Sequence, residues 1–550
     1  MQLNRKTQSL VLVWVLRIGI AVAQIELEAY AQEANQDSSA EDVSQGATNQ
    51  PATFDLLELR VKGSTKVDKR QLEHTIYPFL GPKKSLDNVE LARAALEELY
   101  KTQGYQTVLV DIPEQDVKNG IVYLQVIEGK VSRLKVKDSR YFAMGKIKAG
   151  VPELAEGNVP HFPTMQKQLT ELSGQSADRK IQPVLRAGNT PGTLEVDLKV
   201  KDELPLHASV LLNGRNTFGT TRLRLITSLH YDNLWQAMHS ASFMYQGSPE
   251  NIDQVDVMAG TYALPIFSTD MRLAMYGVNS SSSSQIASAG TMDVIGIGSI
   301  FGGRLIAPLK APLPDFYHSL TAGVDYKDFQ EALRPLGSDA IETPIQYTPF
   351  LAQYTGSYRT DESFTALDLG MHFSVRGVGN DQAQFEQKRY KAKANYMYLT
   401  TDLKFKHDLP LGMEISTRFS NHLADSPLIS NEQYSLGGAL NVRGYYETQA
   451  LVDDAVFGSL ELYTPRFSTL DSVYLNNLKF MAFIDSGNGW VLDPLPGQVN
   501  SYYLAGAGVG LNFQIQKFLM TALDVGFPFI ALGPVSVGDP RVDFTVETAF

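Results

Sequence analysis

The last ten residues of the chain alternate between two kinds of side chain, as expected for an extended strand with two different faces. One face is mostly apolar and the other mostly polar or charged: Val542, Phe544, Val546, Thr548 and Phe550 against Arg541, Asp543, Thr545, Glu547 and Ala549. Short alternating segments of this kind, rich in aromatic residues and separated by glycine-rich turns, continue back to about residue 205. This region therefore predicts many short strands rather than helices.

A soluble β-sandwich and a transmembrane β-barrel both alternate in this way, so the alternation alone does not choose between them. A sandwich does not require its last strand to end in phenylalanine. A membrane barrel has strands of ~10 residues whose apolar side chains face the lipid. At roughly 20 residues per strand and turn, residues 205–550 allow about 16 strands. We therefore predict a transmembrane antiparallel β-barrel for this region.

The chain begins with the features of a secretory signal. Arg5 and Lys6 precede an apolar stretch, and Ala21-Val22-Ala23 is a small-residue cleavage site. Ala29-Tyr30-Ala31 fits the same pattern and leaves the exact cleavage site open. We expect a signal peptide over residues 1–23, with a short membrane anchor as the alternative.

A polar segment separates this signal from the first folded region. Residues 24–52 are rich in Gln, Ser, Asn, Ala and acidic side chains, a composition that buries too little apolar surface to fold alone. We predict a flexible periplasmic linker, in which residues 25–35 are long enough only for a short helix. We therefore do not assign to this segment a helix that would plug the barrel.

Two small α/β modules are predicted between the linker and the barrel. Residues 53–129 show the order strand, helix, helix, strand, strand, with Gly81-Pro82 and Gly104 ending the two helices. Residues 130–204 repeat the order with weaker helices and an alternating strand near their end. This repeated order resembles a pair of POTRA domains. Several short motifs closely resemble the POTRA domains of two-partner secretion transporters: Gly104-Tyr105, Ile112-Pro113-Glu114-Gln115, Val126-Ile127-Glu128-Gly129 and Leu185-Arg186-Ala187-Gly188-Asn189-Thr190-Pro191-Gly192.

Two motifs within the barrel region suggest an ion pair. Glycine beside Arg443 allows a tight turn from which the guanidinium projects. Asp485 ends an apolar run, and period-two geometry places it on the face opposite Ile484. If the face of Ile484 meets lipid, Asp485 points into the barrel and needs a cationic partner. One hypothesis is that Arg443 binds Asp485; the other, which these residues alone favour, is an exposed turn arginine and an aspartate in an Asp-Ser-Gly-Asn-Gly turn.

The spacing of these motifs resembles the barrel signature of the BamA-type outer-membrane superfamily, L-G-G…V-R-G-Y…E-L…P…F-x-D-x-G. In that superfamily the V-R-G-Y tip folds into the barrel lumen and meets the F-x-D-x-G aspartate. The resemblance thus assigns seven residues to a loop lock in the lumen: Val442, Arg443, Gly444, Tyr445, Phe483, Asp485 and Gly487. It also implies that the C-terminal strand, with Phe544 and Phe550, is a signal read by the barrel assembly machinery.

Together, these resemblances identify the chain as similar to two-partner secretion transporters of the haemolysin secretion/activation type. They imply an outer-membrane protein with periplasmic POTRA domains that secretes an unfolded exoprotein through its barrel without ATP. The partner they imply is a large secreted protein: an adhesin, a haemolysin, a contact-dependent toxin or a haem-binding protein. A BamA-like insertase and a passive porin or receptor are the alternatives. An insertase usually carries more POTRA domains than the two counted here.

The composition argues against several other functions. The formal charge of −12 disfavours nucleic acid as a partner, since phosphate binding needs a basic face. The absence of cysteine excludes disulfides and thiolate metal sites. The nine histidines are scattered, and no P-loop or G-x-S-x-G motif is present. We therefore expect no enzyme activity, no cofactor and no metal site.

Overall fold

The structure is a computed structural model, and it describes residues 53–117, 119–266, 269–281, 287–289, 292–294, 296–333, 341–467, 475–516 and 518–550. The signal peptide predicted over residues 1–23 and the linker predicted over residues 24–52 lie outside the described residues. The chain divides into two compact units. The first comprises the described residues up to Leu99 with Val110–Val126, and the second comprises Tyr100–Leu109 with Ile127–Phe550.

The first α/β module contains five strands and two helices: β1 (Phe54–Leu56), β2 (Glu58–Lys62), α1 (Lys69–Ile76), β3 (Gly81–Lys84), α2 (Leu86–Thr102), β4 (Val108–Asp111) and β5 (Ile121–Glu128). A 3₁₀ turn, Tyr77–Phe79, follows α1. Strands β2, β5 and β4 form one sheet in that order, and β1 pairs with β3 in a second.

One prediction for this module was wrong. The single strand expected from Phe54 is interrupted at Leu57, where the amides of Leu57 and Glu58 both donate to the carbonyl of Gly120, at 2.8 and 3.1 Å. The first part pairs with β3, and the second part pairs in parallel with β5. Gly81, expected only to end a helix, therefore begins a strand, because β1 offers it a partner.

The second α/β module repeats the layout: β6 (Lys130–Lys137), α3 (Met144–Ala149), a 3₁₀ turn (Pro152–Leu154), α4 (Phe162–Gly174), β7 (Arg179–Ala187) and β8 (Thr193–Asp202). Its sheet has the order β6-β8-β7. Strand β6 runs parallel to β8, which requires the chain to cross over, and both helices lie in that crossover. Their apolar faces pack on the sheet around Ile147, Leu154 and Leu198, which are fully buried.

The remaining described residues are mostly strands: β9 (Leu206–Asn213), β10 (Arg224–Leu234), β11 (His239–Gly247), β12 (Asp256–Pro265), β13 (Arg272–Ser280), β14 (Ala287–Ala289), β15 (Met292–Val294), β16 (Gly298–Pro308), β17 (Phe316–Leu333), β18 (Ile341–Tyr347), β19 (Pro349–Arg359), β20 (Ser363–Ser374), β21 (Met397–Leu409), β22 (Met413–Ala424), β23 (Tyr434–Leu436), β24 (Ala450–Val452), β25 (Asp454–Tyr463), β26 (Leu475–Trp490), β27 (Ser501–Ile515), β28 (Leu519–Pro528) and β29 (Arg541–Ala549). A short helix, α5 (Gln382–Lys388), lies between β20 and β21.

These strands close into a barrel in which the last strand, β29, pairs with the first, β9. Strands β14 and β15 form a separate hairpin, as do β23 and β24. Strands β18 and β19 both pair with β17 and together make one wall strand that is interrupted at Thr348. Within the described residues the wall therefore has sixteen antiparallel strands, and the predicted barrel is confirmed.

Strand β26 shows how the alternating sequence places its side chains. Phe480 and Ile484 are 46% and 50% exposed, whereas Met481, Phe483 and Asp485 are buried. The apolar side chains of the exposed face point outward, as a lipid-facing wall requires. Among the described residues, no helix is both long and apolar enough to cross a membrane.

The C-terminal strand closes the barrel through its backbone. The amide of Phe550 donates to the carbonyl of Ala208 at 2.9 Å, and the amide of Ala208 donates back at 3.2 Å. The Phe550 side chain is 73% exposed. The carbonyl of Phe544 accepts from the amide of Gly214 at 3.1 Å.

Candidate functional site

The segment between β22 and β25, residues 425–453, folds against the inward-facing side chains of the barrel wall. We call it the lumen loop. Its strands β23 and β24 pair with each other, from Leu436 opposite Ala450 to Tyr434 opposite Val452. This hairpin holds the V-R-G-Y tip between its two strands, so the tip is presented as one unit.

Arg443 at the tip binds Asp485 in strand β26. Its Nε lies 2.7 Å from Oδ2 and its Nη2 lies 2.8 Å from Oδ1, which is the two-pronged geometry of a strong arginine–carboxylate pair. The backbone amide of Arg443 donates to the same Oδ2 at 3.1 Å. Asp485 is 0% exposed and Arg443 is 5% exposed. The alternative of an aspartate in an exposed turn is therefore wrong, because Asp485 lies inside a continuous strand.

Two residues of the neighbouring strand β25 complete the surroundings of Arg443. Ser459 Oγ donates to Asp485 Oδ1 at 2.6 Å and accepts from Arg443 Nη2 at 3.2 Å. Glu461 Oε1 lies 2.8 Å from Arg443 Nη1. The alternation of β25 places Ser459 and Glu461 on one face, but their sequence does not indicate which arginine they meet.

An aromatic ring and two carboxylates favour the charged form of Arg443. The guanidinium carbon lies 3.5 Å from the centroid of the Phe483 ring, which is cation–π contact distance. Burial opposes the charge, but the hydrogen bonds of Asp485 and the nearby charge of Glu461 hold the pKa of Arg443 above its usual value. The guanidinium of Arg443 therefore stays charged under physiological conditions.

Glycines in the wall make room for the tip. A methyl group on Gly487 would lie 2.7 Å from Leu436 Cδ1 and 3.0 Å from Val442 Cγ2, and one on Gly506 would lie 2.5 Å from the carbonyl oxygen of Arg443. Gly444 has a φ of +96°, a conformation that favours glycine. The predicted glycines thus serve close packing of the loop on the wall.

Tyr445 fixes the tip to strand β27 and to the segment that follows β28. Its hydroxyl lies 2.9 Å from the carbonyl oxygen of Ile530 and 3.1 Å from that of Ala505, and it accepts from the amide of Ile530 at 3.2 Å. The ring is fully buried together with Val442. The structure therefore brings all seven predicted lock residues into one contiguous contact.

A second contact holds the lumen loop to other strands, and no sequence motif indicated it. Glu432 is 5% exposed, and its carboxylate accepts from Lys327 Nζ at 2.6 Å, Tyr347 Oη at 2.6 Å and Tyr398 Oη at 2.8 Å. Burial acts against ionisation of Glu432, but the charge of Lys327 and the hydrogen bonds from Lys327, Tyr347 and Tyr398 together lower the pKa of the carboxyl.

A third contact fixes the end of the loop. Asp453 is 0% exposed, and both of its oxygens accept from the guanidinium of Arg389, beside helix α5. The amides of Leu428 and Leu492 also donate to Asp453, at 3.0 and 2.7 Å. The loop is thus attached at three points through charged side chains that lie far apart in sequence.

Two family models match the sequence. The model described as POTRA domain, ShlB-type, matches residues 54–129. The model described as haemolysin secretion/activation protein ShlB/FhaC/HecB matches residues 345–513, which include Arg443 and Asp485.

Two relatives are similar over parts of the chain. The outer membrane transporter CdiB-2 of Burkholderia pseudomallei is 28% identical over 26% of this chain, and the alignment spans only 24% of that protein's length. The heme/hemopexin transporter protein HuxB of Haemophilus influenzae is 21% identical over 88% of this chain and 84% of its own.

Solved structures show the same fold. CdiB from Escherichia coli aligns over the whole of both chains with a TM-score of 0.60 at 17% identity. BamA from Haemophilus ducreyi, lacking POTRA domains 1–3, aligns over 91% of this chain and 100% of its own with a TM-score of 0.55 at 13% identity.

Proposed function

We propose that this chain exports a dedicated protein across the outer membrane, as its matches to a ShlB-type POTRA domain over residues 54–129 and to the haemolysin secretion/activation family of ShlB, FhaC and HecB over residues 345–513 suggest. The main support for this proposal is a closed barrel whose inner wall binds a loop through a buried ion pair. The barrel lies in the outer membrane and the POTRA domain in the periplasm. A passive porin has no evident use for a loop attached by three buried charged contacts.

We assign the two POTRA modules to residues 53–129 and 130–204 and the barrel to residues 205–550. In the proposed mechanism the exported chain arrives unfolded and binds the two modules first. Strands β2 and β4 lie at the edges of the first sheet, and β6 and β7 lie at the edges of the second. An extended chain can add to such an edge through main-chain hydrogen bonds, which give affinity without strict sequence demands.

Passage of the chain requires the lumen loop to move. Arg443 and Glu432 are held by different parts of the wall, so both contacts must break before the whole loop can shift. We propose that the arriving chain replaces these contacts one after the other. Folding of the exported protein outside the cell supplies the directionality, so no nucleotide is required.

The proposed cargo is a large secreted exoprotein, either an adhesin, a haemolysin, a contact-dependent toxin or a haem-binding protein. We propose two further partners, the outer-membrane lipid and the barrel assembly machinery that reads the C-terminal strand with Phe544 and Phe550. The Phe550 side chain, which is 73% exposed, is compatible with such a signal.

A BamA-like insertase is the second candidate, because the barrel fold resembles BamA almost as closely as it resembles CdiB. The family match over residues 345–513 and the near full-length alignment with a transporter favour export.

The deciding experiment compares a deletion strain with its parent by mass spectrometry of the culture supernatant and the outer membrane. Export predicts the loss of one very large protein from the supernatant with the other barrels of the membrane unchanged. A broad loss of barrels from the membrane would instead establish an insertase. Complementation with the wild-type gene is the control in both fractions.

A further inference from the structure

The second α/β module contacts the barrel at the turn between β10 and β11. Gln236 in this turn accepts from the amide of Ala143 at 2.8 Å and donates to the carbonyl of Tyr141 at 3.0 Å. Met238 packs against the hydrophobic core of the module. The module and the barrel are therefore joined by specific contacts at this turn.

A cluster of metal-ligating side chains lies at the same junction. Asp178 precedes β7 of the module, His207 lies in β9, and Asp232 lies in β10 of the barrel. One ligand atom from each of these three side chains lies within 4.8 Å of the other two. The closest pair is His207 Nε2 and Asp178 Oδ1, at 3.0 Å.

The backbone holds the two carboxylates in place on either side of the connection between β8 and β9. The carbonyl of Asp178 accepts from the amide of Glu203 at 2.9 Å, and the amide of Asp232 donates to the carbonyl of Pro205 at 2.8 Å. The Asp178 side chain is 8% exposed, and that of His207 is 46% exposed. A buried carboxylate thus faces an accessible imidazole, with a route for an ion from solvent.

A second histidine, His230, orients the carboxylate of Asp232. His230 lies directly opposite His207 in the pairing of β9 with β10, and its Nε2 lies 2.8 Å from Asp232 Oδ1. Hydrogen bonds of this kind between a ligand and a neighbouring side chain orient metal ligands in proteins. Four side chains from three separate strands or strand ends therefore meet in one place.

We propose that Asp178, His207 and Asp232 bind a divalent transition-metal cation of the Zn²⁺ class. One imidazole nitrogen and two carboxylate oxygens match the ligand types that Zn²⁺ accepts, and water supplies the fourth position. With neutral histidines the cluster carries two negative charges, which a divalent cation neutralises. The ion cross-links the second module to β9 and β10, and so restricts the movement of that module relative to the barrel wall.

Zinc binding to the full-length protein in detergent tests the proposal. Protein stripped with EDTA is titrated with Zn²⁺ by calorimetry, and retained zinc is counted by mass spectrometry after desalting. The matched variants are His207→Ala and Asp178→Asn, and the control is His74→Ala, because His74 is an exposed histidine of helix α1. Wild type and the control should each retain one equivalent of Zn²⁺, and both test variants should lose it.

A spectroscopic measurement separates loss of the site from loss of the fold. Co²⁺ in place of Zn²⁺ should give a visible absorption band in wild type that is absent from His207→Ala, while the thermal unfolding of the stripped proteins stays the same. Absence of stoichiometric zinc in wild type, or its retention in either test variant, would overturn the proposal.

Discussion

Replacing Arg443 with alanine should release the lumen loop from the wall. The substitution removes the hydrogen bonds from Nε and Nη2 to Asp485, at 2.7 and 2.8 Å. The carboxylate, 0% exposed, then keeps only the backbone amide of residue 443 and the hydroxyl of Ser459. Removing one partner of a buried ion pair costs about 3–5 kcal/mol, because the remaining charge is uncompensated.

The same reasoning predicts that the two halves of the pair are not equivalent. In Asp485→Ala the guanidinium of Arg443 still has Glu461 at 2.8 Å and Ser459 at 3.2 Å, so its charge remains partly compensated. Arg443→Ala should therefore undock the loop more than Asp485→Ala does. The double variant should be less severe than the sum of the two single changes, because neither charge is then left alone.

Thiol labelling measures the undocked population, since the chain contains no cysteine of its own. A single cysteine in place of Ala450, which is 6% exposed in the docked loop, reacts only when the loop opens. A loss of about 3–5 kcal/mol raises the open population, and with it the labelling rate, by roughly a hundredfold to several thousandfold. Secretion by the Arg443→Ala protein should fail while the barrel remains in the membrane.

The control for this prediction is Arg376→Ala, because Arg376 is exposed and its guanidinium meets only neutral amide side chains, those of Gln382 and Asn395, at 3.3 Å. Its labelling rate should match that of the parent with the same cysteine. Normal secretion by both Arg443→Ala and Asp485→Ala, or an unchanged labelling rate in Arg443→Ala, would refute the assignment of this pair as the lock.

Three smaller changes probe the same loop with the cysteine at Ala450. Tyr445→Phe removes the hydroxyl contacts to Ala505 in β27 and to Ile530, so labelling should accelerate about tenfold, as for ~1–1.5 kcal/mol of lost hydrogen bonding; an unchanged rate would count against a holding role. Gly487→Ala places a methyl group 2.7 Å from Leu436 Cδ1, so it should undock the loop, whereas Gly458→Ala, with open space at the added methyl, should not. Burial raises the pKa of the Glu447 carboxyl to about 7, against 4.5 in solvent. The docked loop therefore binds the proton more tightly, and docking weakens as the pH rises from about 4.5 to about 7. Labelling, corrected for thiolate fraction, should be faster at pH 8 than at pH 5.5, and Glu447→Gln should abolish the difference.

Local sequence patterns predicted which way the side chains of a single strand point, but not which residues those side chains meet. The alternation around Ile484 and Asp485 identified the outward and inward faces of β26 correctly, because a strand's geometry fixes which side chains share a face. The V-R-G-Y and F-x-D-x-G motifs were recognised by their resemblance to a superfamily signature, which is also a set of short local patterns.

What lies opposite an inward-facing side chain was decided only by the closed barrel. Glu432 meets Lys327, which is 105 residues away, and Asp453 meets Arg389, which is 64 residues away. The sequence around each of these residues is typical of an ordinary polar turn or strand. Their pairing depends on the number of wall strands and on how deeply the loop inserts, and neither is encoded in local periodicity.

The pairing of β1 with β3 and the meeting of Asp178 with His207 have the same origin. Each joins segments that are separated in the chain and brought together by packing of whole elements. The sequence by itself determined the alternating strands, the two α/β modules and the lock motifs. The tertiary structure decided the partners, because long-range contacts follow from how strands are ordered and closed rather than from the residues beside them.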